Sequence, residues 1–260
     1  MRLLIFLLSA SACFGQLTMQ HMQPFFNGSS LASRWWPTQA NNGLVFWGEL
    51  TPLDGTWDGA LHPVGDNHRV LIWTNFAAAA TTWTSDQALH PTNFISGGGN
   101  NSTSPHILFT GASSTRMIGA SWPVTTNKST WILVANCTAT TGTDILVMNG
   151  AGGTPWFQYN AKKLEMSQGS TISSAATMTT SYFVITCVFA ADGTSHIDTN
   201  GVAMVTGNAG TGNMAAPYLA QFNSVCYHGN LSRVWMWNGV LSAGDLTSAV
   251  AQCKTDFGIQ

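Results

Sequence analysis

Short apolar runs rich in β-branched and aromatic residues recur along the chain at 70–74, 107–110, 130–137, 145–148, 156–159, 182–189, 196–198, 202–205, 218–222 and 231–237. Each has strand length, and Gly, Asn, Ser or Pro fills most of the gaps, as in GGGNNSTS (97–104), NGAGGT (149–154) and GNAGTGN (207–213). The run NGLVFW (42–47) opens the series. Many short strands separated by glycine-rich turns predict an all-β protein built as a two-sheet antiparallel sandwich. The runs 131–135 and 182–189 are apolar on both parities, as central strands covered on both faces must be. Within 231–237, strict alternation puts Leu231, Arg233, Trp235 and Trp237 on one face and Val234 and Met236 on the other. Asp192-Gly193 and Asn200-Gly201 carry the composition of two-residue hairpin turns.

Only the end of the chain has helical periodicity. Leu246, Ala249, Val250, Cys253 and Phe257 recur at helical spacing, with Ser242 placed to cap, Asp245 three residues on, and Gly258 to terminate. The expected division is a leader over 1–15, a polar arm over 16–41 that contains Trp35-Trp36, and one sandwich domain over 42–260. The leader reads as a secretory signal: Arg2, an apolar stretch from Leu3 to Ala10, and Ala10-Ser11-Ala12 as a small-x-small cleavage site. Cys13 follows that site, but Ala10 stands where a lipoprotein signal carries leucine, which argues against a lipid anchor. No segment reaches the roughly 20 apolar residues of a membrane-spanning helix. A secreted, extracellular, periplasmic or cell-surface location follows as an expectation.

Composition narrows the partners. Of 260 residues, 45% are apolar and only 8% are Asp, Glu, Lys or Arg, so Ser, Thr, Asn and Gly must dress the surface. A net charge of −2 gives no basic field for phosphate backbones, which excludes nucleic acid as the natural partner. Without the leader, Cys137, Cys187, Cys226 and Cys253 form an even set suited to an oxidising compartment. Cys226 with Cys253 is the preferred bridge, since it staples the last helix to the sheet, and four buried thiols are the alternative.

The segments YFVITCVFAADG, HIDTNG, YLAQF and GNLSRVWMWNGVLSAGDL, from Tyr182 onward, give the order hydrophobic strand, Asp-Gly turn, strand, Asn-Gly turn, strand, alternating strand, helix. In that order and spacing the chain resembles the C-terminal half of the laminin-G-like jelly rolls of the concanavalin A-like lectin and glucanase superfamily. NGLVFW, VLIWTN and HILFTG resemble the family's opening strands more loosely, with Thr110 where the family carries Asp before the glycine. The resemblance implies a jelly-roll sandwich and a lectin-like recognition role. Family members also bind calcium in rim loops, but no residue of this chain maps onto those ligands; no motif requires a cofactor, and calcium is the only candidate.

The paired-carboxylate motif of laminarinase-type enzymes on this fold is absent. The two glutamates, Glu49 and Glu165, each lack a carboxylate two residues away. No GxSxG elbow or phosphate-binding loop occurs. Asp58, His62, Asp66 and His68 crowd one loop and are chemically able to hold a divalent cation, although spacing alone does not make them converge. Six Asn-x-Ser/Thr sequons occur, at Asn27, Asn100, Asn101, Asn127, Asn136 and Asn230, in a chain rich enough in these residues to produce them by chance.

Eleven tryptophans are the clearest chemical excess. Indole faces stack on the apolar faces of sugar rings while amides and hydroxyls bond the rim. Trp57, Trp83, Trp122 and Trp156 lie in or beside loops and are the candidate sugar platforms, whereas Trp47, Trp73, Trp131, Trp235 and Trp237 belong to the core. The leading expectation is a secreted, non-enzymatic module that binds a glycan or other surface polymer through sandwich-edge loops. A structural or adhesive protein acting through self-association or protein contacts is the alternative, and a polysaccharide-cleaving enzyme without a recognisable motif the second.

Overall fold

The computed structural model describes residues 35, 37, 43–49, 56–57, 68–69, 72–73, 83–85, 92–94, 106–111, 116–119, 126–139, 141–150, 153–222 and 225–260. The leader, Cys13 and nearly all of the expected arm lie outside them. Residues from Trp36 to Gln260 form one compact unit. Every strand pairing among the described residues is antiparallel, as the short turns between apolar runs require.

The first sheet has nine strands. From its free edge it runs β16 (Val202–Gly207), β15 (Ser195–Thr199), β14 (Phe183–Phe189), β9 (Ser129–Cys137), β20 (His228–Trp237), β7 (His106–Thr110), β6 (Thr92–Phe94) and β3 (His68–Arg69). The second half of β20 also pairs with β1 (Leu44–Glu49). The second sheet, again of nine strands, runs β13 (Thr171–Ser173), β12 (Lys163–Ser167), β11 (Trp156–Asn160), β10 (Thr143–Met148), β17 (Tyr218–Leu219), β8 (Met117–Ile118), β5 (Trp83–Thr84), β4 (Ile72–Trp73) and β2 (Thr56–Trp57). A small hairpin, β18 (Gln221–Phe222) with β19 (Val225–Cys226), follows β17. Of the expected strand at 70–74 the structure describes β4, in the second sheet, while β3 just before it belongs to the first.

The two sheets enclose one core. Trp131, Leu133, Ile185, Cys187, Phe189 and Leu231 from the first sheet meet Leu146, Phe157, Tyr159, Leu164 and Met166 from the second. The Trp131 and Phe157 rings lie 5.7 Å apart and tilted by 58°, the offset geometry that aromatic quadrupoles favour. As expected from their double-parity apolar runs, β9 and β14 are covered on both sides.

The far side of the first sheet is covered by α1 (Ala243–Phe257). Ser242 caps it: its hydroxyl accepts from the Asp245 amide at 3.1 Å and donates to the Asp245 carboxylate at 2.7 Å. Gly258 ends it in the left-handed region at φ 60°. Ala249, Val250, Cys253 and Phe257 are its buried stripe, as the spacing predicts.

Three expectations change. A bulge in β20 at Ser232 lets Leu231 pair with Ala135 and Arg233 with Val134. One extra residue reverses the alternation, so Leu231 joins Val234 and Met236 in the inter-sheet core while Arg233, Trp235 and Trp237 face the other way. Asp192-Gly193 is not a two-residue turn: the connection spans residues 190–194, Ala191 takes the positive φ of 61°, and the Asp192 carboxylate accepts from the Thr194 amide at 2.7 Å. Asn200-Gly201 does form the tight turn, at φ 53° and 81°. Finally, no disulfide joins Cys226 to Cys253; all four cysteines of the domain are buried thiols. Cys226 sits in the β19 hairpin, while the Cys253 sulfur lies beneath α1 and accepts from Arg233 at 3.5 Å, so packing takes the place of the expected staple.

Candidate functional site

The site grows from the β11–β12 hairpin. Ala161 and Lys162 hold φ of 48° and 68°, the turn geometry that lets two strands meet across two residues and pairs Asn160 with Lys163. Alternation then sorts the side chains. Phe157, Tyr159, Leu164 and Met166 enter the core, and Trp156, Gln158, Asn160 and Glu165 come to the opposite, solvent-side face, each half-buried.

Register brings Gln158 opposite Glu165, and Glu165 opposite Ser173. The Glu165 carboxylate accepts from Gln158 Nε2 at 3.0 Å and Asn160 Nδ2 at 3.2 Å, both on Oε2, and from the Ser173 hydroxyl at 3.2 Å on Oε1. Three donors on one carboxylate make a fixed polar patch whose members lose rotamer freedom together.

Beside it runs an aromatic row. Trp156 pairs with Met148, Met148 with Tyr218, and Tyr218 with Ile118, so Trp156 and Tyr218 share a face two strand spacings apart, about 9–10 Å. The Arg116 guanidinium lies 4.5 Å from the Tyr218 ring centre, a cation–π contact. The loops at this end are tied together. Asn149 donates to the Thr154 carbonyl at 2.9 Å and accepts from the Ala215 amide at 3.2 Å. Gly150 is required there, since an added Cβ would sit 2.0 Å from the Ala216 carbonyl oxygen.

Of the four tryptophans singled out from sequence, the structure puts Trp156 on this face. Trp83 is withdrawn as a ligand residue: it is fully buried, paired with Trp73, and the alternation of β5 exposes Thr84 instead. Trp57 lies in β2 in register with Ile72, and nothing is described of its side chain. Trp122, Asp58, His62 and Asp66 lie outside the described residues, and His68 is placed only by its backbone in β3, opposite Asn93. Among the described residues no group of three or more His, Cys, Asp or Glu side chains is arranged to hold a metal ion. Sequence reasoning overlooked Gln158, Asn160, Ser173, Tyr218 and Arg116, and set Glu165 aside for want of a partner carboxylate. The alternation W-x-Q-x-N followed by K-x-E across a two-residue turn was the available signal.

Other polar groups serve the fold. Asp144, buried at the end of β10, accepts from the His228 amide at 2.9 Å and meets its ring Nδ1 at 2.6 Å, tying the two sheets together. No hydroxyl side chain among the described residues bonds that ring. Burial, with the Asp144 charge adding, pushes the Cys137 thiol up to about 12, so it stays protonated and inert as a nucleophile. The sequon residues Asn136 and Asn230 are buried opposite each other, where the Asn136 side chain accepts from the Asn230 amide at 2.9 Å and donates to the Thr180 carbonyl at 3.1 Å. A cavity of about 580 Å³ beside the C-terminal residues is lined by Thr179, Tyr182, Asn200 and Phe257 and holds no acid–base pair.

These features define a two-sheet antiparallel β-sandwich with one sheet sealed by a helix and the other presenting a half-buried aromatic and amide surface. The sequence matches no family model and no curated protein. Several solved structures are similar in fold. The sialidase of Trypanosoma rangeli in complex with the inhibitor DANA aligns at a TM-score of 0.57 and 10% identity, over 95% of this chain and 38% of that one. The same organism's sialidase with 2,3-difluorosialic acid aligns at 0.54 and 11%, over 82% and 34%. Domain 4 of AbnA, a GH43 extracellular arabinanase from Geobacillus stearothermophilus, in complex with arabinotriose, aligns at 0.49 and 12%, over 80% and 98%. At such identities the likeness to the sialidases shows fold alone, and the chain spans about a third of their length.

Proposed function

We propose that this protein is an exported, non-enzymatic recognition module that binds carbohydrate on the solvent-side face of its second sheet, on a jelly roll of the concanavalin-like kind. The observation that carries the reading is the placement of Trp156 two residues along β11 from Gln158, beside a carboxylate that already holds both neighbouring amides in place. A sugar ring needs an apolar platform and fixed hydrogen-bonding groups at its rim, and this face supplies both within about 7 Å. The reading moves the ligand from the sandwich-edge loops to the sheet itself. Sialidases that share the fold are enzymes acting with sialic acid ligands, but the present chain matches only about a third of them and their activity is not carried over.

A glycan array run with and without calcium tests the reading, followed by affinity electrophoresis with Trp156→Ala. The variant is expected to lose retention with its melting temperature nearly unchanged; retention equal to the wild type removes Trp156 from the site. A second reading, self-association, draws on β16, which ends the first sheet, carries no charged residue and exposes Val202 at 66%. Light scattering across a dilution series decides it, a monomer at all concentrations being the negative result.

A further inference from the structure

The hydrogen bonds around Glu165 fix which ends of the neighbouring amides a ligand meets. A carboxylate has no donor, so Gln158 and Asn160 must turn their NH2 groups toward it, at 3.0 and 3.2 Å; a flipped amide would press carbonyl oxygen against carboxylate oxygen. The hydroxyl proton of Ser173 is spent on the same carboxylate. What remains on the ligand side is richer in acceptors than in donors: Gln158 Oε1, Asn160 Oδ1, the Ser173 oxygen and the residual lone pairs of Glu165 stand against the second N–H of each amide, with a negative charge at their centre. Neither amide oxygen accepts a bond from the described residues.

The charges near this patch are few: Arg116 lies over the Tyr218 ring, two strand spacings from Trp156, and Lys162 and Lys163 stand at the hairpin turn. Lys163 is exposed at the hairpin turn, opposite Asn160, and makes no ion pair with Glu165. Asn160 lies four residues along β11 from Trp156, so Lys163 stands about 13–14 Å from the indole row, whereas Gln158 and its partner Glu165 stand about 7 Å from it. A ring seated on Trp156 therefore meets Glu165 first.

Resting on the glycan-recognition reading above, we propose that Glu165 is the specificity-determining residue of this face, selecting neutral, hydroxyl-rich glycans and excluding acidic ones. Hydroxyl groups donate into the acceptor array. A uronate or sulfate placed there is repelled by Glu165 and meets more acceptors than donors. Glu165 acts partly through its neighbours, as the positioning residue that orients both amides.

The test is binding calorimetry on the full chain with matched probes: neutral cello-, xylo- and manno-oligosaccharides against oligogalacturonate and oligoguluronate at one ionic strength. The wild type is expected to prefer at least one neutral probe over every acidic one by about tenfold or more, as a like-charge clash of about 1.4 kcal/mol or more implies. Glu165→Gln should shrink that ratio by about tenfold while leaving the melting temperature in place, and Lys163→Ala should leave the ratio standing. In the wild type itself, high salt should weaken the exclusion of acidic probes, a readout independent of whether any variant folds. Equal binding of acidic and neutral probes that Trp156→Ala still abolishes keeps the recognition surface and overturns the selection. A ratio unmoved by both Glu165→Gln and salt overturns it too, and a wild type that binds no probe overturns the glycan reading along with it.

Discussion

The outer faces of the two sheets have the same backbone geometry and opposite fates. On the first sheet, Arg233, Trp235 and Trp237 are fully buried: α1 packs on Arg233 through Cys253, Asp256 and Phe257, and the Trp237 indole donates to the Pro37 carbonyl at 3.3 Å. The Arg233 guanidinium is held between the rings of Trp235 and Phe257, at 4.5 and 4.7 Å, and bonds Asp256 at 2.7 Å. On the second sheet, Trp156, Gln158, Asn160 and Glu165 remain half-buried, and Gln158 and Asn160 bond Glu165 across the hairpin. Charge is tolerated under the helix only with stacking and an ion pair around it, while on the open face a carboxylate organises side chains that stay partly exposed. The same residue types thus serve stability on one side and, in the proposed function, recognition on the other.

The contrast makes graded predictions. The largest effects belong under the helix. Trp235→Ala should lower the unfolding free energy by about 3–5 kcal/mol, a core truncation that leaves a cavity. Asp256→Ala should cost a similar 3–5 kcal/mol, because it takes a carboxylate partner from the fully buried Arg233 guanidinium. Urea unfolding checks both, and a loss below about 1 kcal/mol in either would mean that α1 does not seal that face. Removing the helix cap is a smaller blow: Ser242→Ala should cost about 1 kcal/mol on the same assay.

Asp198 sharpens the comparison through pH. Burial raises its carboxyl above the ordinary value of 3.8, with His196, 3.8 Å away, pulling the other way. The folded chain therefore holds the proton longer than the unfolded one. Its contribution to stability is complete below the unfolded value and declines as pH rises from there through the raised folded value. Asp198→Asn should remove that part of the slope, measured as the difference in unfolding free energy between the two proteins across about pH 4 to 7. Parallel curves would show that the Asp198 environment is solvated. The smallest stability effect belongs to the open face: Trp156→Ala should change the unfolding free energy by about 1 kcal/mol or less, against the 3–5 of Trp235→Ala.

The sandwich was legible because burial leaves a period. The double-parity runs of β9 and β14, the Asn200-Gly201 turn and the stripe of α1 each follow from local rules that the tertiary structure obeys. The expectations that failed did so where one residue's context outweighed its pattern. Ser232 sits in an unbroken alternating run, and nothing in its neighbours announces the bulge that turns Trp235 and Trp237 toward the helix. Trp83 looked like a loop residue because its strand is two residues long, too short for a period to show. Count and compartment suggest a bridge and the helix suggests what it would staple, but none of these brings the Cys226 and Cys253 sulfurs together. Of the candidate site, sequence reasoning supplied Trp156 and missed the rest: Glu165 becomes meaningful only when strand register sets it against Gln158 on one side and Ser173 on the other.

Alternation and turn chemistry, which depend on the nearest few residues, determined from the sequence alone that this chain makes two antiparallel layers and ends in a capped helix. Which sheet the helix covers, and therefore which tryptophans are sealed and which stand beside a fixed carboxylate, was decided by contacts between residues far apart in the chain. Arg233 with Asp256, and Gln158 with Glu165 and Ser173, acquire their roles from register and packing. Those are properties of the assembled sheets, because the free energy of seating a charge or an indole depends on what the opposing element leaves uncovered.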